Sequence, residues 1–498
     1  MGAPPGTPAL GTPDHPLRVA VIGSGPSGFY AAEHLQEQEH LEVQIDMYDR
    51  LPTPFGLVRG GVAPDHQKIK SVTRVYDKIA AHPEFRFYGN VEMGRDVTHA
   101  DLQAYYHAII YAVGARTDRR MGIPREYLPG SHSATEFVGW YNAHPDFRHL
   151  GFDLQAETAA VVGNGNVAMD LARILASPKD VLAQTDIAEH ALEELAESRI
   201  REIHVLGRRG PAQAAFTNKE LKELGELPGV DVIVDPQEVA LDHLSAEWAA
   251  RNPNRPRDRN LEILRGFAER EPTGAPVRIH LHFLVSPVEI IGSERVEALE
   301  IVHNELYESE DGSIRPRATD RRTTLPLGLV FRAIGYQGVP LPGIPFDAMR
   351  GVIPNERGRI TDPASGGPVE GESVVGWIKR GPQGIIGTNK PDSQETVDML
   401  LEDLHAGNLH KLDVPPRTVL ERLLRERRRD FVSYEDWQLI DMLERERGEA
   451  QGAPRVKFAR VEEMLHALQE RKRQAAEEAE AEAAQAARAQ AARAGDPS

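Results

Sequence analysis

Six residues near the start, Gly23-Ser24-Gly25-Pro26-Ser27-Gly28, have the spacing G-x-G-x-x-G, and Asp49 follows 21 residues after the last of them. Glycine without a Cβ permits the tight turn, lets a pyrophosphate approach the backbone, and lets the next helix pack close to the preceding strand. The first N–H groups of that helix face the anion, and an acid at the end of the following strand accepts from ribose hydroxyls. A carboxylate there repels a 2′-phosphate, so the first site suits FAD or NAD and not NADP. A second turn, Gly163-Asn164-Gly165-Asn166-Val167-Ala168, repeats the pattern with alanine in the third place and Asp170 just beyond. No acid ends its next apolar run. Arg208 and Arg209 stand there instead, in VLGRRG, and two guanidinium groups beside an adenosine ribose favour a 2′-phosphate through charge-assisted hydrogen bonds. The second site therefore suits NADP(H). Arg208 comes 40 residues after Ala168, which implies a helical insertion over 176–200.

These turns need strands before them and helices after them. Leu17–Ile22 (LRVAVI) reads as a strand, Phe29–Leu35 as a helix and Glu42–Tyr48 as a second strand. Tyr105–Val113 reads as a buried strand ending at Gly114. Thr158–Val162, a helix over Val167–Leu175 and the strand Glu202–Leu206 repeat the unit. Val277–Val302 alternates like an antiparallel extension, and Leu329–Ile334 is one more strand. Glu372–Leu404 reads as strand (SVVGWI), Gly-rich loop (GPQGIIG) and helix (TVDMLLEDL). The expected fold class is α/β, with two Rossmann-like three-layer dinucleotide-binding domains. Beyond Pro415 the pattern is helical and charged, and the Ala/Glu-rich tail from Arg471 reads as a solvated helix or a disordered extension.

Composition narrows the chemistry. The 498 residues predict two to four domains, and a net charge of −18 argues against nucleic acid as a partner. Cysteine is absent, which removes disulfides, zinc–thiolate sites, cysteine-ligated iron–sulfur clusters and dithiol relays. None of the 19 histidines lies in an H-E-x-x-H spacing, so no metal is expected. No apolar run reaches the ~20 residues of a membrane span, and Met1–His15 has no secretory pattern, which makes a cytoplasmic location the default. Two dinucleotide sites of opposite electrostatic character in such a chain imply a tightly bound flavin reduced by NADPH.

The runs VIGSGPSGFYAAEHL (21–35), LPTPFGLVRGGVAPDH (51–66), FVGWYNAHP (137–145), VVGNGNVAMDLARIL (161–175), GRRGPAQAAFTNKEL (207–221) and VVGWIKRGPQGIIGTNK (374–390) resemble the adrenodoxin reductase-type ferredoxin–NADP⁺ reductases. The resemblance extends from about Leu17 to about Leu468. It implies a glutathione-reductase-like architecture: a loose leader over 1–16, an FAD domain built from 17–117 and 335–415, an NADP domain over 118–334, a helical region over 416–470 packed on the FAD domain, and the tail 471–498. FAD would lie on Gly23, Gly25, Pro26, Gly28 and Asp49, with Leu57 and Val91 lining it and Trp377, Gly384, Ile385 and Ile386 closing over the isoalloxazine. A helix N-terminus after Gly384 would aim N–H groups at the carbonyl edge of the flavin. NADP would meet Arg119, Asn164, Gly165, Asn166, Val167, Arg208, Arg209, Glu220 and Gly384. On charge alone Glu220 in TNKELKEL reads as an exposed helix residue; the resemblance makes it a ligand on the nicotinamide or ribose side. His66, Asp170 and Glu220 are the residues implied at the reacting centre, with His66 orienting either acid or tuning the flavin.

The implied reaction passes a hydride from NADPH to FAD and single electrons, through a flavin semiquinone, to ferredoxin or a similar small acidic iron–sulfur protein, with the enzyme a monomer. Docking an acidic partner on an acidic chain needs a local basic patch. Arg255, Arg257 and Arg259, with Arg265 beyond, are the candidates; RLLRERRR (422–429) reads better as a charged helix face. Two other readings remain open: an NADPH-dependent flavin monooxygenase or oxidase, and an electron-transfer flavoprotein subunit of a larger complex.

Overall fold

The structure is a computed structural model that describes residues 9–410, 413–428 and 430–494. Most of the leader (residues 1–8) and the last four tail residues lie outside the described residues. The chain divides into two units: residues 1–59, 71–114 and 340–498 form the first, and residues 60–70 and 115–339 the second.

The first unit is built on a seven-stranded sheet. Its parallel core runs Pro368–Val374, Ala108–Tyr111, Leu17–Ile22, Val43–Tyr48, Phe85–Tyr88. Leu17, Val19 and Val21 point into one cluster with Phe29, Ala32 and Leu35 of the helix Pro26–Gln36. Ala20 and Ile22 point into the other, with Tyr48, Leu420 and Leu424. Both faces are covered, so the strand is apolar throughout except at Arg18, which is buried beside Asp46. Trp437, Ile440, Met464 and Leu468 of the C-terminal helices join the first cluster. The helix Val461–Ala494 then continues with residues 472–487 exposed, a solvated helix.

Two expected strands end before their apolar patterns do. Tyr105–Val113 contributes only Ala108–Tyr111, because Thr98 and Asp101 form a reciprocal cap that starts a helix over His99–Tyr105. SVVGWI ends as a strand at Val374. Gly376 has φ of +76° and Trp377–Arg380 is a helical turn; a side chain at Gly376 would collide with Ser27 Oγ.

The second unit carries a six-stranded sheet in the order Ser131–Ser133, Leu329–Arg332, Thr158–Val162, Glu202–Leu206, Val277–His282, Val230–Val234. Every neighbouring pair is parallel. Val277–His282 is therefore a strand of the nucleotide sheet, and the antiparallel extension begins later, with Val285–Ile291, Ala298–Glu308 and Ile314–Pro326. Alternation along VRIHLH reports a strand with one buried face; it carries no information about the direction of its neighbours. The insertion before Glu202 holds two short helices, Lys179–Leu182 and Glu189–Ala196.

The boundary between units departs from the expected one at Gly60–Lys70, which groups with the second unit. Its anchors are ionic: Asp65 accepts from Arg173 Nε at 2.6 Å, and Lys70 donates to Asp186 at 2.6 Å.

Candidate active site

In the first unit the glycine turn Gly23–Gly28 leads into a helix whose first residue is Pro26, where a missing N–H costs nothing. Gly23 has φ of +108° and lies against the backbone of Ala112, and a Cβ on Gly28 would meet the Gly23 carbonyl. Gly25 differs. A Cβ there would meet nothing within 4 Å, so its hydrogen faces open space. Asp49 ends the second strand and accepts from Ser24 N at 3.1 Å, from Ser24 Oγ, and from Leu51 N at 3.0 Å. Three of about four acceptor directions are used, which leaves one at Oδ1 for a ribose hydroxyl.

Two distant segments converge on this turn. Phe55, with φ of +84°, donates its N–H to Ser24 O at 2.9 Å, and Leu57 opens the short helix Leu57–Gly60. From the far end of the chain, Ser393 Oγ donates to Ser27 O at 3.0 Å, and Ser27 Oγ donates to Asn389 Oδ1 at 3.3 Å. The loop before Asn389 is pinned on Gln383 O by Trp377 Nε1 at 3.2 Å and by Arg380. Asp392 accepts from Gly376 N at 2.6 Å and pairs with Lys379. Gly384 and Ile386 sit on this loop, Ile385 is 61% exposed, and an 18-residue helix starts at Asn389. Val91 is buried in the core with Tyr48 and Tyr88.

In the second unit Gly163 has φ of +133° against the Ala333 carbonyl, and Gly165 again opens onto space free of atoms within 4 Å. Asn164 Nδ2 is buried without a hydrogen-bond partner. Asn166 opens the helix Asn166–Ala176, followed by Val167, and its Oδ1 accepts from Thr217 N at 2.8 Å. Arg208 is exposed and Arg209 half-buried just past the strand Glu202–Leu206, with no ion pair to either guanidinium among the described residues. Burial and the charge of Arg208 pull the Arg209 guanidinium below its ordinary value. Glu220 is buried, 7% exposed, with Oε2 lacking a partner; the exposed-helix reading of TNKELKEL is overturned by the packing of Asn218–Leu224 on its neighbours. Arg119 is exposed beyond the short strand Thr117–Asp118. Gly384 belongs to the first unit.

His66 is 5% exposed and closes a charged cluster. Its Nε2 shares a hydrogen bond of 2.7 Å with Glu223, and its Nδ1 is 3.9 Å from Asp170. Arg173 lies 2.8 Å from Asp170 and holds Asp65 through two hydrogen bonds of 2.6 and 2.9 Å. Burial pushes the Asp170 carboxyl up despite Arg173, whereas the hydrogen-bonded guanidinium outweighs burial at Asp65 and holds that carboxyl down. Of the two acids expected beside His66, Asp170 is in reach of its charge, and Glu223 takes the hydrogen bond in place of Glu220. Glu223, Arg173 and Asp65 were not singled out in the sequence. The available signal was their spacing, one helical turn after Glu220 and Asp170 and one residue before His66.

The basic stretch forms the helix Arg255–Ala268. Arg257 bonds Asp258, Asn252 O and Ala249 O and lies over Trp248, so it braces the helix. Arg259 pairs with Glu262, while Arg255 and Arg265 are exposed. Among the described residues no helix is long and apolar enough to cross a membrane.

The family described as pyridine nucleotide-disulphide oxidoreductase matches residues 17–210. The chain is 48% identical over 458 residues to the NADPH-ferredoxin reductase FprA of Mycobacterium tuberculosis, covering 90% of this chain and 98% of the relative. It is 42% identical over 467 residues to the mitochondrial NADPH:adrenodoxin oxidoreductase of Salvelinus fontinalis, covering 91% of each. The solved structure of Mycobacterium tuberculosis FprA in complex with NADPH superposes with a TM-score of 0.86 at 47% identity, over 91% of this chain and all of that one.

Proposed function

The chain belongs to the adrenodoxin reductase-type ferredoxin–NADP⁺ reductases, and from that premise we propose that it exchanges electrons between NADPH and a small iron–sulfur protein through bound FAD. The observation that carries this reading is the pair of open glycines with opposite charges at their strand ends. Gly25 has free space where a pyrophosphate would approach and Asp49 near it; Gly165 has the same space, with Arg208 and Arg209 past the strand end and in no ion pair among the described residues. Donor and acceptor chemistry fits as well. Asn164 Nδ2 and Glu220 Oε2 are buried and unpartnered, a state that costs roughly 1–3 kcal/mol per group until a ligand satisfies it.

A bound flavin supplies what a cysteine-free chain lacks, a group that takes two electrons as hydride and releases them one at a time. The protein supplies the rest. Arg208 and Arg209 would hold the 2′-phosphate, and Glu220 would accept from ribose or carboxamide groups. Asp49 would hold the FAD ribose, and Ile385 offers an exposed apolar side chain for the ring to cover. The helix from Asn389 directs its positive end toward the loop 381–387, where it would stabilise negative charge on a flavin carbonyl. His66 Nε2 is hydrogen-bonded to Glu223, and His66, Asp170 and Glu220 would act by orientation and local charge more than by acid–base transfer, since hydride transfer depends above all on alignment. An acidic partner would dock on Arg255, Arg259 and Arg265, with the enzyme a monomer.

The visible spectrum of the purified chain tests this. A band at about 450 nm, bleached by NADPH and restored by an oxidised iron–sulfur protein, is the expected result. A colourless chain that does not reconstitute with FAD overturns it.

A further inference from the structure

Three histidines meet on one face of the parallel sheet in the second unit. His204 of Glu202–Leu206 stands opposite His280 of Val277–His282, and His282 lies two residues further along the same strand. Side chains alternate along a strand, so all three point to the same side, while Ile203, Val205, Ile279 and Leu281 fill the buried side. One ring nitrogen from each histidine lies within 4.8 Å of the other two, and His204 Nδ1 is 3.0 Å from His282 Nε2.

Carboxylates hold two of the rings from behind. Glu202, itself paired with Arg278, bonds His280 Nε2 at 2.6 Å, and Glu238 lies 3.6 Å from His282 Nδ1. Such outer partners fix the ring and raise the basicity of the nitrogen left over.

We propose that His204, His280 and His282 form a binding site for one divalent transition-metal ion of the zinc type. Three imidazoles without a thiolate suit such an ion, with water completing a tetrahedral shell from the solvent side, where His280 and His282 are partly exposed. His204 now stacks on His280 and His282 with ring planes 19° and 22° apart. Binding would need the His204 ring to leave this stack by turning about its broad Cβ–Cγ torsion, while Glu202 and Glu238 keep their hold on the other two rings. The site uses none of the residues placed in the flavin or nucleotide sites.

The test is calorimetric titration of zinc chloride into the full-length, chelator-treated flavoprotein at about pH 7.5, where histidine is unprotonated. One equivalent should bind tightly. His204→Gln and His280→Gln, which sit on different strands, should each abolish that equivalent, and Glu202→Gln should weaken it about tenfold, with flavin content and the metal-free melting temperature recorded for every variant. Equal zinc binding by the wild type and both histidine variants overturns the proposal, as does the absence of a one-equivalent phase in the wild type. A histidine variant that loses its flavin is replaced in the comparison by Glu202→Gln, whose unchanged affinity would also overturn it.

Discussion

Among the described residues Arg208 and Arg209, unlike most of the arginines, take part in no ion pair, and burial together with the charge of Arg208 pulls down the proton affinity of Arg209. Two cations held side by side are stabilised by an anion. Replacing both with alanine should raise the KM for NADPH by about tenfold or more, since each charged hydrogen bond contributes about 1.5–3 kcal/mol, while the KM for NADH changes little. Equal weakening of both nucleotides would refute the phosphate assignment. The position of this pair was legible because it follows directly on a strand end. Glu220 was not: one carboxylate in a run of alternating charges looks solvated, and only the packing of its helix turns it inward.

The glycine turns act as elements, each a strand, a turn and a helix N-terminus in fixed order. Gly25 and Gly165 have φ of −78° and −102°, which any residue adopts, and both have room for a methyl group. Alanine at either place should therefore leave the fold intact and occupy the space a pyrophosphate needs. Gly25→Ala should purify with little or no flavin. Gly165→Ala should stay yellow and lose reduction by NADPH, as read by anaerobic bleaching of the flavin band. If Gly25→Ala keeps its colour, the first turn is not the flavin site. Both turns were readable over some 30 residues because strand, turn and helix are local structures. The sheet direction of Val277–His282 was not, since the pattern of one strand leaves its neighbours unspecified.

Across the whole molecule, several histidines are held neutral. Burial depresses His132, His190 and His204 to about 4, with the positive charge of Arg332 adding at His132 and that of Arg148 at His190. Unfolding returns them to about 6.5. The folded state thus binds fewer protons, so the stability tied to these groups is complete above about 6.5 and is lost as pH falls from there to about 4. Thermal melting should drop steeply across that window. In His132→Phe, which keeps the packing against Phe152 and Phe331, the drop attributable to these residues should shrink by roughly a third; an unchanged pH profile would rule this out.

The sequence by itself determined the two glycine turns, the charged residues at their strand ends, and the α/β class, because each depends on residues within one strand–turn–helix unit. Tertiary structure alone decided that His66 meets Glu223 across 157 positions, that Gly60–Lys70 joins the second unit, and that His204 meets His280 and His282. Such partners are set by the order in which crossovers lay strands side by side, and that order follows from burying both faces of a sheet at once, a constraint no single segment expresses.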